Sequence, residues 1–156
     1  MKLIKENSPF LLLILFLFGI DRISKIKIIA LLENQNNLFI NDYLNLDLIF
    51  NTGIGFGLLS LDAGLYYDLL SSLIFFIVLV LLYYMIKSKI HEKFFFSLII
   101  GGAIGNLYDR FVFKAVPDFI DIHIKNFHWF SFNIADIFIS LGIIFMLINE
   151  ISFKNR

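Results

Sequence analysis

Four apolar stretches dominate the chain, and each has about the length of a helix that crosses a bilayer. They cover residues 9–32, 69–86, 94–113 and 132–151. A helix that crosses a hydrocarbon core of about 30 Å needs about 20 mostly apolar residues. A cleaved signal peptide is disfavoured for the first stretch, because apolar sequence resumes after it without a small-residue cleavage site. The pattern predicts an all-α polytopic membrane protein with four transmembrane helices, in which residues 1–156 form a single domain.

The segments between these stretches have a different pattern. Apolar and mostly polar residues alternate over residues 44–51, a period of two that predicts a half-buried strand. Glycines interrupt the alternation over residues 51–57. We therefore expect a small extracytoplasmic sheet followed by a tight loop. Residues 116–123, in the second long connection, have apolar neighbours that predict a buried or interfacial segment.

Composition narrows the class of protein further. The hydrophobic residues make up 59% of the chain and the charged residues only 17%, whereas a soluble domain is typically about half apolar and a quarter charged. The formal net charge is zero, which disfavours a nucleic-acid binder. Because the chain has no cysteine, disulfides, zinc–thiolate sites and thiol chemistry are excluded.

The distribution of the charges predicts the orientation in the membrane. Four spans place both termini and the loop 87–93 on one side, where seven basic side chains face three acidic ones. The other side has six basic and ten acidic side chains. Because a basic excess marks the cytoplasmic side, we expect both termini to be cytoplasmic. The two long connections, 33–68 and 114–131, then face outward.

Ionisable and amide side chains gather at the outer ends of three spans. A charge at the bilayer centre costs about 2.5 to 3.5 kcal/mol even on a lenient scale, so simple anchors avoid such residues. We expect these side chains to meet in one polar layer: Asp21, Lys25, Asn106, Asp109, Arg110, Asn133 and Asp136.

Some of these residues have ordinary structural explanations. Asp21 and Lys25 are four residues apart on one helix face, and a structural salt bridge is the favoured interpretation. Gly101 and Gly105 form a step of small residues that lets another helix approach closely. Packing is therefore the favoured role of these glycines.

The polar residues of the third and fourth spans are open to two interpretations. Asn106 and Arg110 are four residues apart with Asp109 beside them, which fits either an interhelical hydrogen-bond network or a direct part in a site. Asn133 and Asp136 have the spacing of a helix cap with an acidic third position.

Several carboxylates in one layer suggest acid–base chemistry. Two carboxyl groups held close together cannot both ionise cheaply, so one keeps a proton while the other is charged. Such a pair can activate a water molecule and protonate a leaving amine, as in aspartic peptidases. The residues alone leave open which two of Asp109, Asp118, Asp121 and Asp136 face each other.

Other functions have weaker support. Asp118, Asp121, His123 and His128 are possible metal ligands, but their spacing matches no standard motif, and we predict no metal and no cofactor. A proton- or ion-coupled transporter would favour acids near the midplane and repeat symmetry, which this chain lacks. A non-catalytic assembly subunit that uses the glycine step remains as a third interpretation.

Five blocks of the chain resemble one family, the bacterial lipoprotein signal peptidases, or signal peptidase II. The blocks occur in the family's order and span nearly the whole chain, which makes the set specific although each block alone is weak. They are Asp21-Arg-Ile-Ser-Lys25, Asn51-Thr-Gly53, Gly101-Gly-Ala-Ile-Gly-Asn-Leu-Tyr-Asp-Arg110, Val116-Pro-Asp-Phe-Ile-Asp121 and Phe132-Asn-Ile-Ala-Asp136.

The resemblance implies an intramembrane aspartic endopeptidase of the bacterial cytoplasmic (inner) membrane. Such an enzyme cuts the signal peptide from diacylglyceryl-modified prolipoproteins immediately before the lipidated cysteine. By the same resemblance the catalytic pair is Asp118 and Asp136, and Asp121 has a structural role. The implied substrate-binding or supporting residues are Asp21, Lys25, Asn51, Gly53, Asn106, Asp109, Arg110 and Asn133.

The resemblance also implies partners and one local difference. Its implied partners are prolipoprotein signal peptides, membrane lipids and cyclic-peptide inhibitors, and nucleic acid is not among them. The family commonly has two alanines where this chain has Ile54 and Gly55, so the local shape of the outer loop differs. We expect residues 51–57 to act as a lid over the cleavage site.

Overall fold

The computed structural model describes residues 2–35, 37–53 and 64–154, which form four long helices and four strands. In chain order the elements are α1 (Lys2–Leu31), β1 (Asn37–Asn41), β2 (Leu44–Asn51), α2 (Leu65–Lys87), α3 (Ile90–Phe113), β3 (Val116–Ile124), β4 (Phe127–Phe132) and α4 (Ile134–Lys154).

Helices are confirmed at all four predicted positions, and their ends lie up to seven residues from those of the apolar stretches. Among the described residues, α2 and residues Ile134–Ser152 of α4 are long and apolar enough to cross a membrane, by length and composition. The helices α1 and α3 are of similar or greater length, but charged residues interrupt them near the end that adjoins the sheet.

The outward surfaces of the helices are apolar. On α2, for example, Leu69, Leu73 and Phe76 are each more than half exposed. In water such a surface would favour aggregation, whereas in a bilayer it lies against lipid chains. This surface agrees with the predicted membrane protein.

The helix α3 lies at the centre and packs against each of the other three helices. Glycines make this possible, because a Cβ atom on Gly101 would overlap the side chain of Leu17 in α1. A Cβ atom on Gly102 would likewise overlap the backbone carbonyl of Ala135 in α4. The predicted packing role of Gly101 is therefore confirmed.

The strands form one antiparallel sheet in the order β1-β2-β3-β4. The predicted strand over residues 44–51 is confirmed as β2. Residues 116–123 were expected only to be buried, and in fact they form most of β3. Val116–Phe119 at its start are all buried, and apolar residues alternate with polar ones only over residues 120–124, so the strand lacks a continuous alternation along its length.

The connectivity places the whole sheet at one end of the helices. The helices α1 and α3 end there and α2 and α4 begin there, while α2 and α3 are joined at the opposite end by Ser88 and Lys89. Pairing of β2 with β3 joins the two long connections into one element. Of the predicted lid, Asn51–Gly53 are described and residues 54–57 lie outside the described residues.

Candidate active site

Asp118 and Asp136 are linked by one asparagine. Asp118 lies on β3 and Asp136 in the first turn of α4, with Asn133 just before that helix. The Asn133 side-chain amide donates to Asp118 Oδ1 over 2.6 Å, and its backbone N–H donates to Asp136 Oδ2 over 3.1 Å. The backbone N–H of Asp136 donates back to Asn133 Oδ1 over 3.1 Å. The predicted helix cap is therefore confirmed, and it also brings the two carboxylates together.

A second asparagine reaches Asp118 from β2. The Asn51 amide nitrogen donates to Asp118 Oδ2 over 2.9 Å, while Asn51 Oδ1 accepts the backbone N–H of Gly53 over 2.8 Å. Since the amide oxygen already has a donor, the NH₂ group is the part that faces the carboxylate. Both oxygens of Asp118 thus accept an amide hydrogen bond.

A third asparagine reaches Asp136 from α3. The Asn106 amide nitrogen donates to Asp136 Oδ1 over 2.8 Å, and Asn106 Oδ1 accepts from the ammonium group of Lys25 over 2.8 Å. The position of Lys25 therefore determines which way the Asn106 amide points. Each of the three asparagines presents a donor to the two carboxylates.

Lys25 is fully buried and is the centre of a charged network. Its ammonium group donates to Asp21 Oδ2 over 2.9 Å and to Asp109 Oδ2 over 2.7 Å. The predicted Asp21–Lys25 salt bridge is thus confirmed and has Asp109 as a further member. A buried cation is tolerable only when it is paired and hydrogen-bonded, and here all three ammonium hydrogens have acceptors.

Asp21 connects three helices. Its Oδ1 accepts the backbone N–H of Ala135 over 3.1 Å, at the start of α4, where helix N–H groups lack internal partners. A Cβ atom on Gly105 would overlap Asp21 Oδ2. Gly105 therefore makes room for the carboxylate in addition to helping the helices pack.

Arg110 holds the segment that follows β2. Its guanidinium donates to the carbonyl oxygen of Asn106 over 3.1 Å and to that of Gly53 over 3.2 Å. Gly53 in turn orients Asn51, so Arg110 supports one of the donors to Asp118 through the backbone.

Burial governs the acidity of Asp118. Removal from solvent and the nearby charge of Asp136 raise the pKa of this carboxyl group, the hydrogen bonds from Asn51 and Asn133 oppose them, and the resulting pKa is about 6. Because the neutral and charged forms then lie close in free energy near neutral pH, Asp118 is suited to proton transfer.

The other two candidate acids have different neighbours. Asp109 is paired with Lys25 and also with Arg22, a residue that sequence reasoning did not select. The position of Arg22 next to Asp21 in the sequence was the feature that could have identified it. Asp121 contacts Asn45 and His128 on the sheet.

An apolar cleft of about 330 Å³ opens beside Asp136. A mostly apolar cleft with a few polar groups is typical of a site that binds an apolar ligand and orients it. Its lining residues come from β3, β4 and α4 and are Ile122, Phe130, Phe132, Asp136, Ile137, Ser140 and Leu141.

Known proteins are similar to this chain in sequence and in fold. The family described as Signal peptidase (SPase) II matches residues 13–152. The lipoprotein signal peptidase of Pelagibacter ubique is 45% identical over 94% of this chain and 89% of its own length. The lipoprotein signal peptidase of Francisella tularensis subsp. mediasiatica is 38% identical over 100% of this chain and 99% of its own length.

Two solved structures, each described as a bacterial membrane enzyme, have the same fold. One has a TM-score of 0.79 at 28% identity and covers 93% of this chain and 88% of its own. The other has a TM-score of 0.76 at 27% identity and covers 91% of this chain and 92% of its own. By sequence and by fold, the chain belongs to the signal peptidase II family.

Proposed function

We propose that this protein is an intramembrane aspartic endopeptidase that removes signal peptides from diacylglyceryl-modified prolipoproteins. The cut falls immediately before the lipidated cysteine. Membership of a family of proteases, and relatives named lipoprotein signal peptidase, support the reaction class and the substrate class.

The observation that carries the mechanism is the shared contact of Asp118 and Asp136 with Asn133. Two carboxyl groups in this arrangement hold one proton between them most easily, so they titrate as a pair. The asparagine donors stabilise whichever carboxyl group is ionised.

The chemistry proceeds by addition of water to the peptide bond. The ionised carboxylate takes a proton from a water molecule as the water oxygen attacks the scissile carbonyl carbon. The protonated partner donates its proton to the carbonyl oxygen, and the carbonyl carbon becomes a tetrahedral centre that bears two hydroxyl groups. The C–N bond then breaks as the amine nitrogen takes the proton held by one carboxyl group, while a hydroxyl group of the tetrahedral centre returns its proton to the other. The carbonyl re-forms, the pair again holds one proton, and the new carboxyl group leaves with the signal peptide.

The remaining residues position this pair. Lys25 orients Asn106, and Arg110 orients Asn51 through Gly53. Asp21 and Asp109 pair with Lys25, and Asp109 also pairs with Arg22. None of these groups needs to touch the scissile bond in order to affect its cleavage.

The membrane arrangement follows from the charge distribution and the position of the sheet. The helices α1 and α3 cross the bilayer along with α2 and α4, and both termini are cytoplasmic. The sheet and the two aspartates face outward from the cytoplasmic membrane. The apolar cleft beside Asp136 receives an apolar part of the substrate, and the segment after Asn51 acts as a lid. Membrane lipids and cyclic-peptide inhibitors bind to this side, and no nucleic acid is involved.

The test is to replace each aspartate with asparagine, as D118N and D136N, and to follow a lipid-modified precursor in cells. Loss of a positioned acid or base costs about 10²- to 10⁴-fold in rate, so uncleaved precursor should accumulate in both variants. The matched control is D42N, since Asp42 is an exposed carboxylate on the same sheet. Normal processing by either D118N or D136N would refute the mechanism.

A further inference from the structure

A second cluster of titratable side chains lies on the sheet, outside the set of residues that contact Asp118 and Asp136. Asp121 Oδ2 is 2.8 Å from His128 Nδ1 and 3.7 Å from His123 Nδ1. Each of the three residues offers one possible ligand atom, and all three atoms lie within 4.8 Å of one another.

The backbone of the β3–β4 hairpin creates this cluster. Asp121 and His123 are two residues apart on β3 and therefore point to the same face of the sheet. His128 on β4 is the cross-strand partner of His123. The two imidazole rings stack with centroids 5.0 Å apart and planes 20° apart.

Two buried polar atoms at this cluster have no hydrogen-bond partner within the described part of the chain. One is Nδ1 of His123, a residue that is only 7% exposed. The other is Oδ1 of Asn45 on β2, whose amide nitrogen lies 3.4 Å from Asp121 Oδ2. Buried polar atoms nearly always have a partner, so an unpartnered ring nitrogen of His123 that lies 3.7 Å from a carboxylate oxygen, on a ring stacked against a second imidazole, indicates a ligand.

We propose that Asp121, His123 and His128 bind one divalent transition-metal ion of the zinc class. Two imidazoles and one carboxylate are a known ligand set for Zn²⁺, with water in the fourth position. Ligand atoms at 2.0 to 2.1 Å from a tetrahedral zinc are roughly 3.3 Å apart. The distances from Asp121 Oδ2 to the two imidazole nitrogens, 2.8 Å and 3.7 Å, lie on either side of that value. Mg²⁺ and Ca²⁺ fit poorly because they require six or more oxygen ligands or near-octahedral geometry.

The site differs from the earlier expectation that the chain binds no metal, which rested on spacing alone. One residue separates Asp121 from His123 and four separate His123 from His128, a spacing that matches no standard motif. A two-residue hairpin turn nevertheless brings His128 back beside the other two side chains. The bound ion cross-links β3 to β4 three residues from Asp118. We therefore expect it to stabilise the folded sheet, whether or not the protein cleaves lipoprotein precursors.

The test is to titrate the untagged, detergent-purified protein with ZnCl₂ by calorimetry and with Co²⁺ by visible absorption. The key variant is H128A, because the His128 side chain is 56% exposed and its removal leaves the buried residues in place. The variant H123Q removes the buried ligand. The matched control is H91A, which removes a histidine at the opposite end of the molecule.

We expect one Zn²⁺ per chain in the unmodified protein and in H91A, with at least about tenfold weaker binding in H128A and H123Q. Zinc should raise the Tm of the first two proteins, because a ligand that binds only the folded state stabilises it, and should leave that of H128A unchanged. Mg²⁺ should have no effect. Absence of saturable zinc binding, or equal zinc affinity in H128A and the unmodified protein, would overturn the proposal.

Discussion

At the scale of single residues, the chemistry of the candidate site depends on which end of each asparagine amide faces a carboxylate. Asn51 and Asn106 each have their oxygen occupied by another donor, from Gly53 and Lys25 respectively. An aspartate at either position would keep that first contact. It would, however, present an oxygen instead of an N–H to the reacting carboxyl group.

The substitution N51D tests this difference. Near pH 8 we expect its cleavage rate to fall by about 10- to 100-fold, the value of a hydrogen bond to a charged group of about 1.5 to 3 kcal/mol. At lower pH the new carboxyl group gains a proton that it can donate, so activity relative to the unmodified enzyme should recover.

The measurement is the ratio of the two rates as a function of pH in detergent or proteoliposomes. The control N41D makes the same chemical change at an exposed residue of β1 and should leave the rate unchanged. A constant ratio for N51D across the pH range would contradict the proposed donor role.

The raised pKa of Asp118 also affects stability. Burial raises its pKa from 3.8 to about 6 in the folded protein, so between these values the folded state binds more protons than the unfolded state. The free energy of unfolding therefore falls as pH rises through this window. At pH 7 the loss is at most about 3 kcal/mol, from about 1.36 kcal/mol per pKa unit.

The variant D118N lacks this titration. Relative to the unmodified protein, its Tm in detergent should increase as pH rises from 4 to 6 and then level off above 7. The control D42N replaces an exposed carboxylate and should show no such trend. If the Tm of D118N and that of the unmodified protein changed in parallel with pH, Asp118 would not titrate in this range.

At the scale of elements, glycines on α3 decide how closely the helices can approach. Gly105 faces Asp21, and a Cβ atom there would collide with the carboxylate that receives a hydrogen bond from Lys25. We expect G105A to lower the free energy of unfolding by about 1 to 3 kcal/mol, the usual cost of overpacking. Cleavage should fall as well, because displacement of Lys25 misorients Asn106.

The matched control for this change is G19A on α1. A Cβ atom on Gly19 would meet no other atom within 4 Å, so replacement within a helix should be neutral or stabilise by up to about 1 kcal/mol. The measurement is denaturant or thermal unfolding in detergent. Similar effects of G105A and G19A would mean that contact with Asp21 does not limit residue 105.

The elements differed in how well their sequences predicted them. Length and hydropathy identified all four helices, and the alternation of apolar with mostly polar residues identified β2. The strands β1, β3 and β4 were not identified as strands. For β3 the cause is burial of both faces at Val116–Phe119. A bulge between Asp121 and His123 also shifts its register with β4, which a repeating pattern cannot show.

For the candidate site, the sequence predicted contacts between residues that are close in the chain but not those between distant residues. Spacing alone gave the Asp21–Lys25 pair and the cap formed by Asn133 and Asp136, because both are contacts within three or four residues. The contact of Asn106 with Asp136 spans 30 residues. It depends on the packing of α3 against α4, so only the folded chain shows it.

At the scale of the whole molecule, the sheet, the charged network and both candidate catalytic aspartates lie at one end of the helices. The opposite end carries the short connection between α2 and α3. Polar chemistry and apolar surface are thereby separated along the helix axes. This separation is what a peptidase needs when its substrate is anchored in the lipid.

Orientation in the membrane is the property of the whole molecule that remains a prediction, and the chain itself offers a clean test. It contains no cysteine, so a single introduced cysteine is the only thiol of this protein that a reagent can modify.

We expect N126C, in the exposed β3–β4 turn, to react with a membrane-impermeant maleimide in intact spheroplasts. The variant S88C, at the other end of α2, should react only after the membrane is opened. The control L73C, on the exposed apolar surface of α2, should react in neither case because lipid excludes the charged reagent. Labelling of S88C before N126C would reverse the topology and place the aspartates on the cytoplasmic side.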